Sequence, residues 1–309
     1  MSNQEKYQGL FPAFYACYDE NGNISTEAVE ALTRYFVKVG VQGVYVGGSS
    51  GEFIYQGVEE RKLVLEHVVR AAEGKLVIIA HVACNSTRDS QELARHAESL
   101  GVDAIAAIPP IYFRLPEYAI AAYWNDISAA APNTDFIIYN IPQLAGVALT
   151  MPLLREMLKN PKVIGVKNSS MPVQDIQMFI DEGTKNGRDF VVFNGPDEQF
   201  ISGRLMGAVG GIGGTYGAHP ELFLKLNELL GNKELETARA LQFDINNIIY
   251  TLCSGKGHMY AIIKAVMQKR IGIDLGGVRS PMANMIPEDM AIVDRAKTMI
   301  EAAIEKYCG

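Results

Sequence analysis

The chain predicts an α/β fold, a (β/α)8 barrel with a C-terminal helical extension, on three observations. Eight short apolar runs of β-prone residues alternate with longer stretches of helical periodicity. The runs recur at roughly 30 residues, the length of a βα unit. They are apolar throughout, which suits parallel strands covered by helices on both faces. A doubly wound open sheet is the alternative way to arrange such units; the count of eight favours the closed barrel.

In order, the runs are Leu10–Ala16, Gly43–Val46, Leu76–Val82, Ala104–Ile108, Phe136–Tyr139, Val163–Val166, Phe190–Phe193 and Ala208–Ile212. The stretches between them read as amphipathic helices. Val29, Leu32 and Phe36 recur at i, i+3, i+7, and Leu65, Val68, Val69 and Ala72 at i, i+3, i+4, i+7. Leu93, His96, Ala97 and Leu100 repeat the second spacing. Ser25 stands where an N-cap belongs, and Gly40, Gly74 and Gly101 stand where helices should stop. After Pro220 the alternation ends, and Glu221–Leu230, Lys233–Leu252, Tyr260–Lys269 and Glu288–Tyr307 look helical. The expected division is a catalytic barrel over 1–230 and a helical extension over 231–309.

Composition narrows the function. With 28 Lys+Arg against 35 Asp+Glu the formal charge is -7, and no basic block is present for a polyanion, so no nucleic-acid partner is expected. The opening Met1-Ser-Asn-Gln-Glu-Lys shows no signal-peptide pattern, and no apolar stretch approaches membrane-spanning length. Cys17, Cys84, Cys253 and Cys308 form no CxxC pair and no zinc spacing; they read as reduced thiols of a cytoplasmic protein.

A barrel carries its chemistry at the C-terminal ends of its strands. The second run ends in Gly47-Gly48-Ser49-Ser50-Gly51-Glu52, where glycines, hydroxyls and successive N–H groups make a nest for a carboxylate or phosphate. The same residues fit a tight turn with Ser49 and Glu52 as a capping box. The fifth run ends in Tyr139-Asn140-Ile141-Pro142, which offers either a positioned phenol for proton transfer or a tyrosine simply packed at the mouth. The sixth, Val163-Ile164-Gly165-Val166-Lys167-Asn168-Ser169-Ser170, is the most informative. A lysine continuing an apolar strand is desolvated, and desolvation favours the neutral amine. At the ordinary pKa of about 10.4 only ~1 lysine in 2,500 is neutral at pH 7, whereas a fall of ~3 units makes the attacking form abundant. The competing reading is a lysine paired with a carboxylate or snorkelling outward.

The seventh run ends in Asn194-Gly195-Pro196-Asp197-Glu198, whose carboxylates suit sugar hydroxyls better than phosphate. In Gly210-Gly211-Ile212-Gly213-Gly214-Thr215-Tyr216 the dinucleotide fingerprint fails at Tyr216, which excludes a nicotinamide site. His81 and Cys84 follow the third run and read as a satisfied histidine and an inert thiol, and His67 and His96 read as structural. His219 and His258 have no partner at metal-ligand spacing, so no metal is expected.

Together, the Gly47–Glu52 turn, the Tyr139–Pro142 motif and Lys167 resemble, in order and spacing, the N-acetylneuraminate lyase / dihydrodipicolinate synthase family, over essentially the whole chain. The resemblance implies a pyruvate-dependent class I aldolase, commonly a homotetramer, with no cofactor beyond a covalent lysine imine. By that resemblance Lys167 forms the imine, Tyr139 shuttles the proton, and Ser49 and Ser50 hold the pyruvate carboxylate. Tyr112, in Pro109-Pro110-Ile111-Tyr112, looks like the second tyrosine, which acts near a subunit interface. Leu144 stands where the synthase branch carries an arginine, so the chain is closer to the lyase branch. Gly195-Pro196-Asp197-Glu198 matches the lyase Gly-x-Asp-Glu, and Ser169 falls at the threonine that places a hydroxyl near the sugar. Gly214 departs from the pattern, because lyases usually have a serine there. The expectation is reversible cleavage of N-acetylneuraminate to N-acetylmannosamine and pyruvate. The rivals are an aldolase or dehydratase acting on 2-keto-3-deoxy sugar acids, 4-hydroxy-tetrahydrodipicolinate synthesis, and a non-catalytic keto-acid sensor.

Overall fold

All eight runs become strands: β1 Gly9–Pro12, β2 Gly43–Val46, β3 Val77–His81, β4 Ala104–Ala107, β5 Asp135–Asn140, β6 Val163–Asn168, β7 Val191–Asn194 and β8 Gly210–Gly213. The structure, a computed structural model, describes residues Met1–Gly309. One sheet holds the strands in the order β1-β8-β7-β6-β5-β4-β3-β2, and pairing from β2 round to β8 is parallel. The two end strands meet where the Gln42 N–H donates to the Leu10 carbonyl at 3.1 Å, so the sheet is a nearly closed barrel. The strand ends differ from expectation by a few residues: β1 stops at Pro12, and β6 runs on to Asn168 with Lys167 inside it.

The sheet belongs to one of two compact units, formed by Met1–Phe11, Gln42–Val46 and Val77–Gly213. Its strands approach so closely that some positions exclude a side chain. A Cβ on Gly165 would stand 2.5 Å from the Val191 carbonyl oxygen, and one on Gly210 would strike the Gly9 carbonyl. A short helix, Asn3–Tyr7, was not anticipated. Its capping box (Ser2 with Glu5) and the burial of Tyr7 against Phe11 and Phe193 explain it.

The other unit comprises Pro12–Val41, Gly47–Leu76 and Gly214–Gly309. Its helices are Thr26–Val39, Val58–Ala72, Pro220–Gly231, Leu235–Leu252, Met259–Ile271 and Met290–Cys308. Ser25 caps the first, its hydroxyl accepting from the Ala28 N–H, and Gly40 ends it at φ 83°. The third ends before Lys233, whose φ of 65° breaks the helix and delays the next start to Leu235. Leu226, Leu241, Ile245, Ile248, Val293 and Ile300 are all buried where the last helices pack.

Glu52 organises this unit in a way the sequence did not reveal. Its carboxylate accepts from the Lys264 ammonium at 2.9 Å and from the Arg279 N–H at 2.8 Å, with both charged side chains almost wholly buried. Lys264 also donates to the Gly277 carbonyl at 2.6 Å, and the Arg279 guanidinium reaches Glu60 at 2.7 and 2.9 Å. The capping-box reading of Ser49 and Glu52 is therefore corrected. The next helix begins at Val58, with Glu60 on the Gly57 N–H, and the Glu52 carboxylate is committed to a buried ion pair. Burial holds the Lys264 ammonium below its ordinary pKa even with Glu52 beside it. Glu52→Ala is thus expected to destabilise the fold by about 3–5 kcal/mol, because it strands a buried cation. A denaturant midpoint that falls with an unchanged slope would show it; an unmoved midpoint would refute it.

Candidate active site

Lys167 and Tyr139 are cross-strand partners in the β5–β6 ladder. Their pairing depends on an irregularity. Phe136 pairs with Val163, the register then slips by one residue, and Ile137 pairs with Gly165. Without the slip Tyr139 would face Val166 and turn to the opposite side of the sheet. With it, the Lys167 ammonium lies 3.9 Å from the Tyr139 ring centroid and 4.0 Å from that of Tyr45.

Only 4% of Lys167 is exposed, so it does not snorkel, and its nitrogen rests on two aromatic faces. Burial pushes its pKa down, opposed by Tyr139 and by the charge of Asp197. Desolvation wins, and the amine moves toward its nucleophilic form. His81 completes the aromatic cluster, its ring 6.0 Å from Tyr139 and 6.1 Å from Tyr45. Its Nε2 accepts from the Ile108 N–H at 3.4 Å, which agrees with the satisfied-histidine reading. Tyr45 was missed in the sequence; the one available signal was a tyrosine inside the otherwise aliphatic Val44-Tyr45-Val46.

One residue on from each of these positions the side chains face the other way. Asn140 pairs with Asn168, and Asn168 with Asn194. The Asn140 amide donates to Asn168 Oδ1 at 2.8 Å while its own oxygen accepts from the Leu149 N–H at 2.9 Å. Asn194 donates to the Pro196 carbonyl at 2.7 Å. This asparagine row ties down the loops after β5 and β7. Sequence reading assigned it no role, although an asparagine closing each of these three strands was the available sign.

Ser169 and Gly195 meet at the ends of β6 and β7. A Cβ on Gly195 would stand 2.7 Å from the Asn168 carbonyl oxygen and strike the Ser169 hydroxyl, so only glycine leaves that hydroxyl in place. Asp197 is buried in a 3-10 turn, whereas Glu198 beside it is exposed. Adjacent in sequence, they differ in environment.

The Gly47–Glu52 turn, in the other unit, follows β2 directly. Ser49–Gly51 form a 3-10 turn, with Ser49 half-buried and Ser50 buried. The Ser50 carbonyl accepts from the Ala16 N–H at 3.1 Å, and its hydroxyl donates to the Tyr260 hydroxyl at 2.9 Å. Gly214 lies in the same unit, its carbonyl accepting from the Tyr15 hydroxyl at 2.8 Å.

Tyr112 is on the surface, 89% exposed, with a φ of 85°. Such a backbone costs a residue bearing a Cβ about 1–3 kcal/mol and clusters at functional sites. With Phe113 and Tyr118, also exposed, it lines an apolar cleft. Leu144 is exposed in the short helix Pro142–Ala145.

A nearly closed barrel with a desolvated lysine on its sixth strand and a tyrosine in register beside it defines a class: Schiff-base enzymes acting on carbonyl compounds. Comparison with known proteins agrees. The model of the dihydrodipicolinate synthetase family matches residues 6–299, and the chain belongs to that family. An N-acetylneuraminate lyase of Mediterraneibacter gnavus is 66% identical over 307 residues, 99% of this chain and 96% of that protein. The wild-type sialic acid aldolase of Ruminococcus gnavus superposes with a TM-score of 0.96 at 66% identity, covering 98% of this chain and 99% of that one. Its catalytic lysine mutant gives 0.97 at 65% identity, covering 99% and 100%. No helix of the chain is long and apolar enough to cross a membrane.

Proposed function

We propose that the protein is a class I aldolase that reversibly cleaves N-acetylneuraminate to N-acetylmannosamine and pyruvate. The observation that carries this reading is the buried, desolvated Lys167 in register with Tyr139. The high identity to a lyase over both full lengths supports the substrate. Lys167 attacks the C2 carbonyl of the open-chain keto acid, and water leaves as the imine forms. The protonated imine then accepts the electron pair of the breaking C3–C4 bond. Tyr139 shuttles the proton of the C4 hydroxyl, its phenolic oxygen accepting that proton as the phenol's own hydrogen passes to the substrate carboxylate, so the sugar half departs as the aldehyde and the pyruvate half remains as an enamine. Protonation at C3 and hydrolysis return pyruvate and free Lys167. Ser49 and Ser50, with their N–H groups, hold the carboxylate. Ser169, Gly195, Asp197, Glu198 and Gly214 line the sugar subsite.

The only covalent carrier in this scheme is the lysine imine, so neither metal nor cofactor is needed. The reaction belongs to the barrel, 1–230, with 231–309 as its extension, and four cysteines held as thiols rather than in disulfides support a cytoplasmic location. The lyase reading is tested by pyruvate release from N-acetylneuraminate, set against pyruvate consumption with aspartate semialdehyde. The exposed Leu144 offers no cation to a second carboxylate, so turnover is expected with the first pair alone.

The aromatic cleft at Tyr112, Phe113 and Tyr118 supports a homotetramer in which Tyr112 serves a neighbouring copy. Sedimentation at micromolar concentration should give about four times the chain mass, and Tyr112→Asp should shift it to smaller species with loss of activity. A fully active monomer would refute this.

A further inference from the structure

Lys167 must be neutral to attack a carbonyl and positive once the imine has formed, at one buried nitrogen. Burial answers the first demand and opposes the second. The second falls to the groups that face the nitrogen, all of them in the unit that holds the sheet.

The ring centroids of Tyr45 and Tyr139 are 5.6 Å apart with planes at 77°, and the Lys167 ammonium sits in the corner between them, 4.0 Å from the first and 3.9 Å from the second. His81 lies 6.1 and 6.0 Å from the same two rings. Its Nε2 accepts from the Ile108 N–H, so that nitrogen carries no proton and the imidazole adds no charge. Asp197 acts on the ammonium through its charge, and Tyr139 also hydrogen-bonds it. What Tyr45 offers is a ring face. It is wholly buried in β2 between Val44 and Val46, in register with Ile79 of β3. An aliphatic side chain would serve packing there, but only an aromatic ring presents a negative face to a cation.

We propose that Tyr45 is a further catalytic residue, its ring face stabilising the positive charge that appears on the Lys167 nitrogen when the imine forms. The step is dehydration of the carbinolamine. The nitrogen lone pair becomes the second C–N bond, the hydroxyl takes up one proton and departs as water, and the nitrogen is left positive. The ring favours that cation over the neutral amine without competing for a proton. The assignment rests on the Schiff-base reading and deepens it.

Tyr45→Phe is compared with proteins carrying a graded series of ring-fluorinated phenylalanines at position 45, and with Tyr45→Leu. Fluorine keeps the shape of the ring and drains its negative face. Borohydride trapping of pyruvate on Lys167 is followed from below to above the pH midpoint of its rate. Above the midpoint the free amine is neutral and imine formation creates the cation. The pyruvate concentration for half-trapping should therefore climb with each fluorine, reaching about 10-fold at the end of the series and in Tyr45→Leu. Below the midpoint the ammonium already rests on the ring and one cation replaces another, so the series should stay within about 2-fold. The midpoint itself should move to lower pH, because a weaker face stabilises the ammonium less. A merely structural role would do the reverse: a loosened site admits water, the midpoint rises toward the ordinary lysine value, and affinity falls at every pH. That pattern, or a series that stays flat above the midpoint, would overturn the assignment. Should Tyr45→Leu not fold, the fluorinated series decides by itself. No wild-type adduct on Lys167 sinks the Schiff-base reading and this one together, whereas a wild-type adduct with a flat series sinks this one alone.

Discussion

Lys167→Met is expected to lower kcat/KM by about 10⁴-fold or more, since no other group can carry the imine. Borohydride with pyruvate should add mass to the wild-type peptide containing Lys167 and add none in the variant. An active variant, or a wild-type adduct on another lysine, would refute the proposed mechanism. Two pH effects follow from the downward shift of the Lys167 pKa. Imine formation needs the neutral amine, so trapping should accelerate as pH rises through the depressed value. Stability follows the same window. Between the folded pKa and the ordinary value of about 10.4 the unfolded chain binds the proton and the folded chain does not. Folding stability therefore falls as pH drops through that window and stays low beneath it. Methionine escapes this cost and fills a similar volume, so Lys167→Met should be inactive yet more resistant to urea than wild type at pH 7.

Tyr139→Phe carries the second largest expected effect, a fall in kcat of about 10²–10³-fold. The ring that packs against Lys167 is kept and only the phenolic proton carrier is lost. Pyruvate trapping on Lys167 should persist, while release of pyruvate from N-acetylneuraminate nearly stops. Loss of both together would show that the hydroxyl serves imine formation rather than bond cleavage, and normal turnover would remove Tyr139 from the chemistry.

The strands were legible because burial on both faces forces continuous apolar runs, and eight such runs leave few ways to fold. The terminal helices were legible to within a few residues for the same reason, an apolar stripe at helical period. Lys167 stood out because a cation inside an apolar strand is costly unless it is used. Less visible were contributions that depend on who lies beside whom. Tyr45 contributes a ring face to Lys167, and the asparagine row holds the loops. Glu52, read as a helix cap, forms a buried pair with a lysine 212 positions away. Tyr260, read only as the start of a helix, shares a hydrogen bond with Ser50 210 positions away. No local pattern marks a partner at such a distance.

By itself the sequence determined the alternation of strands and helices and the placing of a lysine at the end of the sixth strand, because these follow from local periodicity and the cost of burying charge. Only the tertiary structure decided that Lys167 and Tyr139 face one another. That rests on a one-residue slip between Phe136 and Ile137, and in a sheet of period two such a slip selects the face to which each side chain turns.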